Sequence, residues 1–86
     1  QLLANALLTL SAVVYRAQNE PLRAIRAEGE VQMSIYDFAG AVDRFKAART
    51  VSGKGNLLPA DHIEASIIDT RLRQAESRLR EQALER

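Results

Sequence analysis

With 12 basic and 11 acidic residues, the 86-residue chain carries a formal net charge of +1, which excludes a strongly basic nucleic-acid binder. It has no cysteine, so disulfides, thiolate metal sites and a cysteine nucleophile are excluded too, while the choice between periplasm and cytosol stays open. A chain of this length reads as one domain and buries only about 60% of its unfolded surface, so its core is thin. Aromatics are few (Tyr15, Tyr36, Phe38 and Phe45), and Ala and Leu fill the apolar positions instead. Both are good helix formers, and small side chains let helices approach closely.

The chain opens at Gln1 without a methionine, as a fragment or a processed product does. In the opening stretch, Leu3, Ala6, Leu7, Leu10, Val13, Val14 and Ala17 recur at steps of three and four and share one helical face. Leu2, Leu8 and Ala12 widen it, which predicts a helix buried on several sides. The alternative is an exposed apolar patch that self-association through residues 2–17 would cover. Leu2 to Val14 is too short to span a bilayer, and no basic region precedes it, so neither membrane insertion nor a signal peptide is expected.

Gln18-Asn19-Glu20-Pro21 breaks the pattern. Proline suits the first turn of a new helix, with Asn19 or Glu20 as its cap. That second helix is predicted over about Pro21 to Ser34, with Leu22, Ile25, Gly29 and Met33 toward the core. Tyr36-Asp37-Phe38 marks a turn. A third helix to about Thr50 places Phe38, Ala41, Val42, Phe45 and Ala48 on one face. Residues 51–60 read as a loop. Asp61 with Glu64 then reads as a capping box that opens a fourth helix. Its stripe is Ile63, Ile67, Ile68, Leu72, Ala75 and Leu79, with ion pairs expected between Asp69 and Arg73 and between Glu76 and Arg80. Arg78 to Arg86 has little apolar surface and is expected to fray. No strand pattern appears. The fold class is all-α, four antiparallel helices whose core holds Leu7, Leu10, Ile25, Gly29, Phe38, Ala41, Val42, Phe45, Ala48, Ile67, Ile68 and Leu72.

Gly29, then Ala41 twelve residues on, Phe45 four later and Ala48 three after that, with Tyr36-Asp37-Phe38 in the turn, resemble the tetratricopeptide repeat. In that pattern small residues sit where paired helices cross and aromatics fill the space beside them. Residues 21–50 make the best-formed repeat, residues 1–18 the end of a partial one, and residues 61–82 a terminal helix. The departures are Gln32 in place of the usual Tyr, Tyr36 in place of the turn glycine, and a proline displaced to Pro59. Residues 26–29, 36–42 and 65–73 are also similar to the C-terminal tail of BepA-like periplasmic zinc metallopeptidases. That resemblance implies a periplasmic setting, a role in outer-membrane protein quality control, and a tail that binds clients or assembly partners. The catalytic HExxH motif of that family is absent, so no zinc ligand carries over.

No residue set points to catalysis or to a cofactor. His62 is the only histidine and lacks a second ligand. Gly53-Lys54-Gly55 lacks the first glycine and the Ser or Thr of a phosphate loop, and it follows a helix rather than a strand. Without a glycine elbow beside His62 there is no triad, and the carboxylates are spread among basic neighbours. Arg16, Arg23 and Arg26 are the candidate binding residues, because arginine forks take a partner's carboxylate bidentately. A protein or peptide is therefore the expected partner. If Phe45 is core, Phe45→Ala destabilises by about 3–5 kcal/mol. A variant that melts within a degree or two of wild type contradicts this packing.

Overall fold

The computed structural model describes residues 2–18, 20–52 and 59–85; those residues form four helices and no strand. The helices are α1 (Leu2–Ala17), α2 (Pro21–Ser34), α3 (Phe38–Ser52) and α4 (Pro59–Leu84). Each packs on the next in sequence, and α2 also meets α4. The molecule is a slab, 43 × 28 × 16 Å. Its thinnest dimension is little more than a helix diameter of about 10–12 Å, so the stack is close to one layer deep.

Helix α2 touches all three others, and its composition explains how. Ala24, Ala27 and Gly29 are buried on it beside Leu22 and Ile25. Small residues at these positions let three helices crowd one axis. The tightest contact is Gly29 against Phe45. A Cβ on Gly29 would lie 2.1 Å from Phe45 Cε1 and 2.5 Å from Cζ. The room left by the missing side chain is thus filled by a ring rather than by opposing backbone. The remaining core follows from this contact, with Leu22, Ile25, Ala41, Val42, Ala48, Ile68, Leu72 and Ala75 in one cluster.

The helix ends are locally determined. Pro21 opens α2, where its missing N–H is harmless, and Glu20 is the cap residue without a side-chain capping bond. Asn19 lies outside the described residues. Helix α2 ends in a Schellman motif: Asp37 N–H donates to Gln32 O (2.9 Å) and Tyr36 N–H to Met33 O (3.1 Å). This motif needs a left-handed residue, and Tyr36 supplies it at φ 62°. Asp37 then caps α3, its Oδ1 accepting from Gly40 N–H at 3.0 Å.

Several expectations need correction. Leu7 and Leu10 are 58% and 61% exposed and do not belong to the core. Helix α1 meets only α2, and it does so through Asn5, Leu8, Ser11, Ala12 and Tyr15, the opposite side from its apolar stripe. Ile63 is exposed and Ile67 only half-buried. The face of α4 that turns inward runs Glu64–Ile68–Leu72–Ala75 instead. Asp61 and Glu64 form no capping box, because α4 opens two residues earlier at Pro59 and Glu64 points into the protein. The C-terminal turns do not fray before Leu84. Arg78 lies 5.2 Å over the Phe38 ring, and Gln82 Nε2 donates to Tyr36 O at 3.1 Å. These contacts tie the end of α4 to the α2–α3 turn. The glycine-rich segment Gly53-Lys54-Gly55 lies outside the described residues.

Gly29→Ala separates packing from propensity. In an open helix the change gains about 1 kcal/mol. Here it overpacks a fully buried ring, so a net loss of about 1–3 kcal/mol is expected. Chemical denaturation measures it, and a stabilised variant would show that Phe45 has room to move.

Candidate functional site

Helix α4 is bound along α2 by a ladder of polar contacts. Near the start of both helices, Arg23 Nε and Arg26 Nε stand 3.4 and 3.3 Å from the two Glu64 carboxylate oxygens. Midway, Arg71 Nε reaches both oxygens of Glu30 at 2.7 and 3.0 Å. Gln82 meets Tyr36 beyond the end of α2. The partners advance together along both helices, so α4 runs in the same direction as α2.

Glu64 is the one buried charged residue among those described. Its Oε2 has Arg26 at ion-pair distance but accepts no hydrogen bond. The carboxylate is held by charge more than by directed bonds. Its two arginines remain 36–40% exposed and keep much of their hydration. The penalty for burial therefore falls on the glutamate.

Above α2, between α1 and α4, lies a groove in two continuous parts. The first, about 290 Å³, is walled by Leu8, Ser11 and Tyr15 of α1 and by Ile67 and Arg71 of α4, over Arg26, Ala27 and Glu30. The second, about 510 Å³ and more open, continues over Met33 and Ser34 to Tyr36, Phe38 and Arg78. Leu8, Glu30 and Arg71 line both, so they mark the join. The Arg23 guanidinium sits 5.9 Å from the Tyr15 ring at one end. At the other, Tyr36 meets Phe38 edge to face, with centroids 6.2 Å apart. The lining mixes apolar side chains (Leu8, Met33, Phe38, Ile67) with charged ones on its floor and walls (Arg26, Glu30, Arg71).

The three arginines singled out from sequence do not act together. Arg23 and Arg26 line the groove and share Glu64. Arg16 turns to a different depression beside Arg44 and pairs with Glu28 at 2.6 Å. Gly29, Ala41, Phe45 and Ala48 are buried between helices, Phe38 is buried at the groove end, and Tyr36 stands exposed beside it. Sequence reasoning missed Leu8, Glu30, Met33 and Arg71 as groove residues, and Glu64 as the buried partner of Arg23 and Arg26. The available signal was polar: Glu64 and Arg71 are seven apart on α4, a spacing that brings both to one helical face. Among the described residues, no group of three or more His, Asp or Glu could hold a metal ion, and no helix is long and apolar enough to cross a membrane. The chain matches no family model, no curated protein and no solved structure.

Removing one side of the Glu64 cluster should not equal removing the other. Arg23→Ala with Arg26→Ala leaves a buried carboxylate unpaired and destabilises by about 3–5 kcal/mol. Glu64→Leu frees two arginines that water already reaches, and it should stay within about 1 kcal/mol of wild type. Urea unfolding of both variants checks this; equal losses would refute the assignment of the burial penalty to Glu64.

Proposed function

We propose that the chain is a tetratricopeptide-like protein-binding module that takes an extended or helical segment of a partner polypeptide in the groove along α2. The observation that carries this reading is the groove itself, in which Leu8, Met33 and Ile67 alternate with charged side chains that are already ion-paired within the chain. The architecture supports it. Consecutive helices turn back on one another, and α2 and α4 run alongside each other as the first helices of successive repeats do. Phe45 fills the space over Gly29, and Tyr36 takes the left-handed position where the repeat carries glycine. On this reading the four helices form an antiparallel, superhelical stack, the arrangement that repeat proteins use to build concave binding surfaces.

The resemblance of residues 26–29, 36–42 and 65–73 to BepA-like tails adds a setting. The module would serve a periplasmic zinc metallopeptidase by recruiting outer-membrane protein clients or assembly partners, with the chemistry elsewhere in the parent protein. The reading frame upstream of Gln1 tests that part. An HExxH helix behind a signal peptide supports it, and helix-pair repeats without the motif remove it.

The binding reading has its own test. Peptides selected from a random displayed library on the wild-type chain should lose at least about tenfold in affinity against Met33→Glu, which puts a charge on the groove floor. They should bind Asp69→Lys, on the outer face of α4, unchanged. Loss of binding with Asp69→Lys and not with Met33→Glu would move the site out of the groove.

A further inference from the structure

We infer that Tyr36 is the anchor of the groove, a side chain held at its open end to grip an apolar residue of the partner polypeptide; this rests on the binding reading proposed above. The backbone of Tyr36 is at odds with its side chain. At φ 62° it lies in the left-handed region, where a bulky residue is an outlier and glycine fits freely. The turn uses only the backbone of Tyr36: its N–H donates to Met33 O at 3.1 Å, and its carbonyl accepts from Gln82 Nε2 at 3.1 Å. Glycine would keep both bonds in the same conformation. The ring is not a core residue either, since Tyr36 is 68% exposed. It meets the Phe38 ring only edge to face, and Arg78 already lies over Phe38. A disfavoured backbone conformation that carries an exposed aromatic ring points to use of that ring.

The surroundings of the ring select what it grips. Leu8, Met33 and Phe38 line the open part of the groove with it. The charged groups beside them are engaged within the chain. Arg71 gives Nε and Nη2 to Glu30 and Nη1 to Gln74. Arg78 lies over Phe38 and pairs with Glu81 at 3.4 Å. The Ser34 hydroxyl is held by Asn5 and by Val31 O. A charged residue of the partner would have to break one of these pairs. An apolar one breaks none, and it removes Leu8, Met33 and the Tyr36 ring from water. Among the described residues, the Tyr36 phenol is the one polar side chain of this lining without a hydrogen bond or ion pair. It is free to donate to a main-chain carbonyl of the partner. The occupant is therefore a large aliphatic or aromatic side chain with its neighbouring carbonyl at the phenol. A tyrosine suits this task, because its broad amphipathic ring has only two side-chain torsions to fix.

Fluorescence anisotropy with the peptides selected on the wild-type chain tests this, together with urea unfolding of each variant. Tyr36→Gly relaxes the left-handed residue and removes an exposed ring, so its urea midpoint should be no lower than that of wild type. It should nevertheless bind the peptides at least about tenfold more weakly. Tyr36→Phe removes only the hydroxyl and should bind about twofold to tenfold more weakly. The peptide position whose replacement by alanine weakens binding most should be a large apolar residue, and that replacement should have little effect on Tyr36→Gly. A Tyr36→Gly midpoint well below wild type means that the ring is held for packing, which overturns the inference. Unchanged peptide binding by Tyr36→Gly overturns it too. If Met33→Glu has then lost the same peptides, the groove reading survives alone; if Met33→Glu still binds them, both fall. A charged residue at the decisive peptide position also overturns the inference. So does a chain extended upstream of Gln1 that no longer takes the peptides, because its own preceding residues then fill the place.

Discussion

Everything in this fold leans on one vacancy, the missing side chain of Gly29. Phe45 occupies it and is itself fully buried. The placement of this ring brings α3 close to α2, and α4 closes the same cluster through Ile68 and Leu72. A slab this thin has no deep interior in which errors of packing can be absorbed. Burial of a Phe-sized side chain contributes about 1.5–3 kcal/mol by transfer alone, and a small domain has only about 5–15 kcal/mol in total. The Gly29–Phe45 contact is therefore a large share of what holds the stack together. The alanines at 24, 27, 41, 48 and 75 serve the same geometry by keeping the other crossings close.

The second and third helices were legible because pattern and packing agree there. Phe38, Ala41, Val42, Phe45 and Ala48 repeat at helical spacing and are all buried. The first helix was misread because hydrophobic periodicity identifies a face without saying what it faces. Its apolar stripe is real, yet α1 has only α2 to pack on and presents Leu8 and Ala12 to it. The fourth helix was misread at its start for a different reason. Asp61 and Glu64 satisfy the capping-box spacing, but Glu64 has two arginines of α2 within reach, and that attraction outweighs a local capping bond. Its far end was underestimated because Arg78 and Gln82 look like solvent residues in sequence. Their partners, Phe38 and the backbone of Tyr36, lie forty or more residues away. The groove as a whole was invisible for the same reason: it is assembled from three helices.

On the binding reading proposed above, the paired charges in the groove favour recognition by shape more than by charge. Each cation that lines it already has a carboxylate of the same chain: Arg23 and Arg26 share Glu64, Arg71 holds Glu30, and Arg78 has Glu81. An incoming acidic group would have to displace one of these, exchanging one ion pair for another with little net gain. Leu8, Met33 and Ile67 carry no such competition. Covering them releases water from apolar surface, the term that dominates association.

The outer faces of α1 and α4 differ in chemistry. Helix α4 presents Asp69 and Arg73, paired at 2.7 Å, together with other charged residues to solvent. Helix α1 presents leucine and valine. Polar residues could replace them without touching the contact of α1 with α2, because the two faces are on opposite sides. Leu8 and Ala12 would still pack, and Asn5 would still hold Ser34. The apolar stripe of α1 therefore contributes little to its packing on α2.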